Sequence, residues 1–435
     1  MITPVVWHDS ATNSLLSALI YNPANSFWTN TAGGVLQLQN EATWVKLPDD
    51  SILTADMQGN ATASITSERF IPSLNNWILD KQLPVSLQGT GHETGPAFMM
   101  ADGRAFFLGG SGHTAFYSPS GNTNNGDWSP GPDMPYFNGQ TYFYGASNIL
   151  TNVFYSGLLM AQDTPAAMMN NGKILCQFAC NTYHAEVWFY EYDPSIANFV
   201  AAPCPTNASP GTGFVTSAGM SDRTSMLDLP DGTVLYNDGG YLYIYQPDNT
   251  PPLASGKPVI KSVSFNADGS LHLSGTLFNG ISQGASYGDD FQMDSNYPLV
   301  RFTDGSGLVS YGRTYNWSST SVQTGGKIVT TECAAPANIY NGPGAYSLQV
   351  VANGNASDPV NFFGPVWVDF NYTGSIQNGN LATPYKTLAQ GTSAVASGGT
   401  VAINGGVQPS LSPETMAISK PMNIISVSGP STIGQ

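Results

Sequence analysis

Histidines, cysteines and clustered carboxylates are the side chains of this chain that could perform chemistry. The five histidines are scattered along the sequence, at His8, His92, His113, His184 and His272. No pair of them stands at zinc-finger spacing, and Cys176 and Cys180 are separated by three residues rather than the two of a Cys-x-x-Cys motif. The spacing therefore favours hydrogen-bonded turn or strand roles for His113, His184 and His272, and a solvated loop for His92 with Glu93.

Four aspartates lie close together in the second half of the chain and are candidates for calcium binding. They are Asp289, Asp290, Asp294 and Asp304. Hard cations such as Ca²⁺ prefer clustered oxygen ligands. The spacing is not that of an EF-hand loop, so ordinary turn chemistry is the alternative, and no metal site is assigned.

The cysteines are too few to form a disulfide framework in a chain of 435 residues. Cys176, Cys180 and Cys204 lie close enough in sequence for one disulfide among them, and Cys333 stands apart. Whether that disulfide forms stays open on the sequence alone.

Composition and charge exclude several classes of function. Only 10% of the residues are charged, and the formal net charge is -16. Such a chain repels phosphate backbones, so we expect neither nucleic-acid binding nor attachment to anionic membranes. No apolar run is long enough for a transmembrane helix. The abundant Gly, Pro and aromatic residues favour many short strands joined by tight turns, and the composition suits an extracellular or cell-surface protein.

A recurring hairpin is the strongest internal repeat. Each copy has an apolar strand, an Asp-Asp, Asp-Gly or Asn-Gly corner, and a second apolar strand, and the copies recur at blade-like intervals of about 50 to 70 residues. Asp-Gly and Asn-Gly corners predict type I′ turns, in which both central residues have positive φ. The four copies lie at 44–56, 95–110, 165–179 and 225–240.

Aromatic segments containing Tyr-x-Pro or a related sequence follow most of these hairpins and predict the outer strands of four-stranded blades. A similar segment at 21–28 has no hairpin before it, so we expect four clear blades and a partial one within residues 1–256. The aromatic-rich stretches 135–148 and 181–192 are interpreted as loops that could stack on sugar rings, with packing between blades as the alternative.

The pattern changes near Pro258. Residues 257–365 alternate apolar and polar positions without the blade signature, which favours an Ig-like sandwich. In residues 366–435, short strands (TVAIN, TMAIS, NIISV and STIG) recur about every dozen residues with Gly or Pro between them. This spacing predicts the first rungs of a parallel β-helix, whose exposed last strand would allow self-assembly or pairing with a continuation of the chain.

The hairpins, together with the segment TLFNGISQGASYGDDFQMDSNYPLVRFT (276–303), resemble the galactose oxidase and glyoxal oxidase superfamily, in which a kelch-type β-propeller precedes an Ig-like domain. PYKTLAQG and GGTVAINGG in residues 366–435 resemble the right-handed β-helix domains of large bacterial surface proteins. The resemblance implies an all-β fold with a kelch-type propeller, an Ig-like sandwich and a partial parallel β-helix.

The resemblance also implies a copper site made of two histidines and two tyrosines, one of them cross-linked to a cysteine. At the position of one Tyr-His pair this chain has Asp222 and Arg223, and where the other histidine is needed it has Tyr315 and Asn316. Arginine has no lone pair to offer a metal. We therefore expect no copper and no catalytic residue, and apart from the calcium candidates above we expect no cofactor.

The function that the sequence favours is a non-catalytic extracellular surface, adhesive or filament-forming module that recognises glycans or other extracellular proteins. Two alternatives stay open. One is a secreted copper-radical oxidase that uses other ligands, and the other is part of a polysaccharide-active enzyme.

Overall fold

The computed structural model describes residues 2–3, 18–22, 25–31, 39, 42–56, 65–89, 93–144, 150–181, 184–206, 208–282, 286–287, 298–406 and 410–434. Within these ranges the chain is almost entirely β-structure, with a propeller-like arrangement of sheets. The prediction of an all-β fold is confirmed. The boundaries at residues 256 and 365 stay predictions.

Among the described residues up to Tyr245, the strands form five small antiparallel sheets and one long two-stranded ribbon. The first sheet contains β1 (Ile2–Thr3), β2 (Leu19–Asn22) and β3 (Phe27–Asn30). The second contains β4 (Thr43–Lys46), β5 (Ile52–Ala55), β6 (Ser67–Ile71) and β7 (Asn76–Leu79), and the third contains β8 (Ala97–Met99), β9 (Ala105–Leu108), β10 (Thr114–Ser118) and β11 (Asp127–Pro130). The ribbon consists of β12 (Tyr136–Tyr144) and β13 (Leu150–Leu158). The fourth sheet contains β14 (Ala166–Met168), β15 (Ile174–Ala179), β16 (Glu186–Asp193), β17 (Asn198–Ala201) and β18 (Phe214–Val215), and the fifth contains β19 (Ser225–Asp228), β20 (Val234–Asn237) and β21 (Leu242–Tyr245).

Each predicted hairpin forms the first two strands of a separate meander, at β4–β5, β8–β9, β14–β15 and β19–β20. The first strands of neighbouring hairpins lie side by side in two cases. Strand β4 lies beside β8, and β14 lies beside β19. The four hairpins therefore occupy four different sheets, as the repeat predicts.

The corners of these hairpins differ from the predicted type I′ turns. At the second corner, Gly103 N–H donates to Met100 O (3.0 Å) and Met100 N–H donates to Arg104 O (2.7 Å), which is a type I turn closed by a bulge. Only Gly103 has positive φ, and Asp102 Oδ1 instead accepts a hydrogen bond from Arg104 N–H. The other three corners repeat this pattern, with positive φ at Asp50, Gly172 and Gly232. The type I′ prediction is wrong because the aspartate or asparagine side chain stabilises the right-handed turn.

The sheets are held together by apolar cores that lie between them. Phe98 packs toward the fourth sheet with Met168 and Trp188, whereas its neighbours Ala97 and Met99 pack toward the second sheet with Val45. This division follows from the two-residue period of a strand, which sends successive side chains to opposite faces. A third core joins the fourth and fifth sheets. The sheets therefore stack face to face, as blades of a propeller do.

Buried hydrogen bonds also connect neighbouring sheets. Thr43 Oγ1 lies 3.1 Å from Thr94 Oγ1, at the starts of β4 and β8. Between the fourth and fifth sheets, Gln177 Oε1 accepts from Tyr236 Oη (2.7 Å) and its Nε2 donates to Thr224 Oγ1 (3.0 Å). These buried polar groups have hydrogen-bond partners, so their burial is compatible with a stable core.

A second unit follows, with a single antiparallel sheet in the order β22-β23-β27-β26-β25-β28 and with β29 and β30 both paired to β28. Its elements are β22 (Val259–Phe265), β23 (Leu271–Thr276), β25 (Leu299–Asp304), β26 (Val309–Tyr315), β27 (Val329–Ala334), α1 (Ala337–Tyr340), β28 (Ala345–Ala352), β29 (Asn355–Ala356) and β30 (Val360–Phe363). The short strand β24 (Ser286–Tyr287) instead pairs with β4 of the propeller-like part. The Ig-like assignment of this unit stays a prediction.

The last unit is a parallel ladder. Its elements are β31 (Val366–Val368), α2 (Leu388–Ala394), β32 (Thr400–Asn404), β33 (Ser410–Ser412), β34 (Asn423–Val427) and β35 (Ser431–Ile433). Strands β31, β32 and β34 pair in parallel, as do β33 and β35. Residues 415–419 (TMAIS), predicted as a strand, form none, so each repeat is longer than a dozen residues. The sequence did not predict helix α2. It begins with a capping box between Thr387 and Gln390. The assignment to a right-handed β-helix stays a prediction.

Candidate functional site

The three histidines that the structure describes lie in separate surroundings. His113 Nδ1 lies 2.7 Å from Asp133 Oδ1 on an exposed turn, and His272 Nδ1 lies 2.8 Å from Glu332 Oε1 on the antiparallel sheet. His184 is buried beneath the ribbon. His8 and His92 fall outside the described residues. Among the residues that are described, no three His, Cys, Asp or Glu side chains lie close enough to hold a metal ion.

The positions that correspond to the copper ligands of the resembled oxidases hold no histidine in this chain. Asp222 and Arg223 lie in a single 3₁₀ turn, where Arg223 Nε is 4.0 Å from Asp222 Oδ2 and the arginine side chain is 61% exposed. Tyr315 ends β26, and Asn316 follows with a φ of 51°. A guanidinium donates hydrogen bonds and cannot ligate a metal. These residues therefore do not fit a two-histidine copper centre.

Of the calcium candidates, only Asp304 lies among the described residues. Its Oδ1 accepts hydrogen bonds from Ser306 N (2.8 Å), Ser306 Oγ (2.6 Å) and Leu308 N (3.0 Å), which close the turn after β25. These hydrogen bonds lower the pKa of Asp304. Asp289, Asp290 and Asp294 fall outside the described residues, so calcium binding there stays a prediction.

All four cysteines are free and buried, and the disulfide that the sequence left open does not form. Cys176 and Cys180 are four residues apart along one extended segment, about 13 Å at the rise of a strand, which is too far for a disulfide. Cys204 belongs to a different apolar core. Burial raises the pKa of the Cys180 and Cys333 thiols to about 12, so neither is a reactive thiolate.

A Gly-x-Ser-x-Gly pattern stands at 280–284, and the structure describes its serine. Ser282 is fully buried, its N–H donates to Asn353 Oδ1 (3.3 Å), and its carbonyl accepts from Asn353 Nδ2 (3.0 Å). A nucleophile elbow exposes its serine on a strand-to-helix turn. The burial of Ser282 indicates a structural role.

The ribbon of β12 and β13 is the most distinctive surface of the described structure. Its register pairs Tyr136 with Leu158 and Gln140 with Phe154, so even-numbered residues of both strands share one side. That side is exposed along nearly its whole length, and most residues of the other side are half-buried. We call the exposed side the outer face. Its aromatic and polar residues are Tyr136, Asn138, Gln140, Tyr142, Asn152, Phe154 and Ser156, and Leu150, which is 40% exposed, lies at its end near Tyr142.

The outer face combines large exposed aromatic rings with uncharged hydrogen-bonding groups. Tyr136 and Phe154 are each 65% exposed, and Tyr142 is 39% exposed. Asn138, Gln140, Asn152 and Ser156 lie around them. The sequence 136–158 contains no Asp, Glu, Lys, Arg or His, in a chain whose net charge is -16. The chemistry that the face offers is therefore stacking and neutral hydrogen bonding.

The opposite side anchors the ribbon to the fourth sheet. The ring of Phe137 lies 4.5 Å from that of Trp188, and the ring of Phe143 lies 5.3 Å from that of His184. Ala185 N–H donates to Tyr142 O (3.2 Å). These contacts fix the ribbon against the propeller-like part and leave the outer face free in the described structure.

His184 and Glu186 lie at this anchor. Burial lowers the pKa of His184 to about 4, so its ring is neutral at pH 7, and burial raises the pKa of Glu186. The neutral imidazole packs against Phe143 and Tyr155, with ring centroids 5.3 Å and 6.5 Å away. We infer that both side chains help to hold the ribbon in place.

The interpretation of residues 135–148 and 181–192 as loops is wrong, because residues 136–144 form β12 and residues 186–193 form β16. The even positions Tyr136, Asn138, Gln140 and Tyr142 alternate with Phe137, Thr141 and Phe143, which is a strand period. The sequence Gly-Ala-Ser-Asn follows directly, and its glycine, serine and asparagine are residue types that favour turns. This pattern could have identified the hairpin from the sequence.

Comparisons with known proteins identify no family. No family model matches the chain, and no curated protein matches it. No helix within the described ranges is long and apolar enough to cross a membrane.

Solved structures that are similar in part include the following three. A fungal alcohol oxidase of the AA5 family in complex with copper has 13% identity and a TM-score of 0.34 over 81% of this chain and 70% of its own. A protein described as a 6-phosphogluconolactonase from Bacteroides fragilis has 10% identity and a TM-score of 0.31, over 87% and 96% of the two chains. The periplasmic gluconolactonase of Pseudomonas aeruginosa has 13% identity and a TM-score of 0.33, over 82% and 94%. These values support no assignment of activity.

Proposed function

We propose that the chain is an extracellular, non-catalytic module that binds neutral carbohydrate through the outer face of the ribbon. The observation that carries this proposal is the exposed, uncharged set of aromatic and amide side chains on that face. Extracellular location is part of the proposal and is supported by the low content of charged residues and the abundance of Gly and aromatic residues.

Carbohydrates match the groups that the face presents. A pyranose ring has C–H groups on its faces, which pack on aromatic rings, and hydroxyl groups around its edge, which pair with amides. Tyr136 and Phe154 supply the broad rings, and Gln140 and Asn152 supply donors and acceptors beside them. Because the segment has no charge and the whole chain is acidic, neutral glycans are favoured over acidic ones.

The geometry of the face is also partly fixed before binding. Tyr136 Oη lies 2.7 Å from Ser156 Oγ on the opposite strand, which holds the tyrosine ring across the ribbon. The anchoring contacts of Phe137 and Phe143 fix the strands beneath it. Less conformational entropy is lost on binding when the receptor is already ordered.

A binding assay on insoluble and immobilised polysaccharides tests this proposal. We expect wild-type protein to bind at least one neutral polysaccharide and to bind polyuronates weakly or not at all. Phe154→Ala should abolish most of the binding, because it removes the most exposed ring of β13. The matched control is Phe27→Ala, since Phe27 is 68% exposed on the first sheet.

Three outcomes would contradict the proposal. Retention of acidic polysaccharides alone would exclude a neutral ligand. Equal losses in Phe154→Ala and Phe27→Ala would exclude the ribbon as the site. Concentration-dependent self-association that Phe154→Ala abolishes, without carbohydrate binding, would identify a second copy of the chain as the occupant.

A further inference from the structure

The three exposed aromatic rings of the outer face lie at different heights along the ribbon. Tyr136 lies at the end near Leu158, Phe154 lies at the level of Gln140, and Tyr142 lies at the level of Asn152. At about 3.3 Å per residue, Tyr136 and Tyr142 are separated by about 20 Å along the strand, with Phe154 between them. That distance exceeds the length of one sugar ring several times.

Uncharged hydrogen-bonding groups lie between the levels of Tyr136 and Phe154 and beside Phe154 and Tyr142. Asn138 pairs in register with Ser156 between the levels of Tyr136 and Phe154, and Asn152 lies opposite Tyr142. All of these residues are exposed, so the described part of the face is open along its length. An open, elongated face with three rings at different levels and amides among them suits a long ligand better than a single sugar or a chain end.

We propose that the outer face binds an extended, unbranched neutral polysaccharide lengthwise, with its chain running along β12 and β13. This inference rests on the proposed carbohydrate-binding function and adds the form of the ligand. Successive sugar residues then contact Tyr136, Phe154 and Tyr142. Interior segments of the polymer bind, and neither end of the chain is needed.

A series of linear oligosaccharides from the polysaccharide that the intact chain retains tests the inference by calorimetry. We expect the affinity to rise with each added sugar until the ligand spans all three rings, and then to reach a plateau. Reduction of the terminal sugar should leave the affinity of the longest oligosaccharide unchanged. Tyr136→Ala and Tyr142→Ala should each lower the affinity for the longest oligosaccharide about tenfold.

The shortest oligosaccharide that binds gives the sharper comparison. This oligosaccharide contacts only part of the face. At least one of Tyr136→Ala and Tyr142→Ala should therefore leave the affinity for it unchanged and still lower the affinity for the longest oligosaccharide. Circular dichroism and the thermal midpoint verify that each variant is folded, and Phe27→Ala is again the control.

The outcomes separate this inference from the function on which it rests. If a monosaccharide binds as tightly as the longest oligosaccharide, or if binding needs an unmodified chain end, the lengthwise arrangement is overturned and carbohydrate binding stands. If neither the polymers nor any oligosaccharide bind, the proposed function itself fails.

Discussion

Arg69 and Asp80 form an ion pair that is completely shielded from solvent, with Arg69 Nε 3.3 Å from Asp80 Oδ2. Arg69 Nη1 also donates to Asn122 O (3.0 Å) in the loop between β10 and β11, and Asp80 Oδ2 accepts from Tyr117 Oη (2.8 Å). The pair therefore links the second sheet to the third. Both side chains lose their hydrating water on folding, and the ion pair and these hydrogen bonds offset that loss.

Removal of Asp80 should be strongly destabilising, because the buried Arg69 guanidinium then keeps only Asp49 as an ionic partner, at 3.5 Å from Nη1 to Oδ2, and the buried Tyr117 hydroxyl loses its acceptor. We expect Asp80→Ala to lower the free energy of unfolding by about 3–5 kcal/mol in urea denaturation. Asp127→Ala is the control, since its carboxylate pairs with Lys81 on the surface, and it should cost at most about 1 kcal/mol. Equal effects of the two substitutions would show that the buried pair has no special role.

Acidification should destabilise the anchor of the ribbon. Burial lowers the pKa of His184 to about 4 from its ordinary 6.5, so the unfolded chain takes up a proton at higher pH than the folded chain. The stability contributed by neutral His184 is complete above pH 6.5 and is lost as the pH falls toward 4. The raised pKa of Glu186 acts in the opposite sense as the pH falls.

Urea unfolding across this pH range measures the effect. His184→Gln should reduce the loss of stability between pH 7 and pH 4.5, by an amount of the order of 1–3 kcal/mol. Phe27→Ala, which removes no titratable group, should leave the pH dependence unchanged. An unchanged pH dependence in His184→Gln would contradict a neutral buried imidazole.

The four thiols should all be present and shielded in the native protein. We expect a polar thiol reagent to label none of Cys176, Cys180, Cys204 and Cys333 on the time scale of minutes, because all four are buried. In denaturant without reductant, mass spectrometry should show four labels. Two labels would demonstrate a disulfide and contradict the structure.

The copper-oxidase alternative makes a separate prediction. Because Arg223 and Tyr315 do not supply the two required imidazoles, protein loaded with Cu²⁺ should show only copper that a chelator removes, and no peroxide with simple alcohols or aldehydes. A stoichiometric type-2 signal in the electron paramagnetic resonance spectrum, together with turnover, would establish the oxidase instead.

Local chemistry made much of the propeller-like part predictable. The Asp-Gly and Asn-Gly corners placed Asp102, Asn171 and Asp231 at the hairpin turns, because few other residues favour such tight corners. The turn type was predicted incorrectly, since hydrogen bonds from the aspartate side chain compete with the φ preference of the pair. The residues at 415–419 show a similar limit, because an apolar run alone does not determine whether a neighbouring strand is available for pairing.

The candidate site was only partly predictable. The aromatic composition of 135–148 indicated stacking on sugars, but the outer face depends on the register of β12 with β13, which brings Phe154 beside Gln140. Such pairing is non-local. The burial of His184 likewise depends on the ribbon that covers it, which the sequence around His184 does not specify.

The affinity of the wild-type protein and Phe154→Ala for the retained neutral polysaccharide, compared at low and high salt, tests carbohydrate binding by the outer face most directly. An uncharged face and a neutral ligand should give an affinity that salt does not change, because no charge is available to screen. Phe154→Ala should bind about tenfold more weakly at both salt concentrations. An affinity that falls steeply with salt, or a Phe154→Ala protein that binds as well as Phe27→Ala, would contradict it.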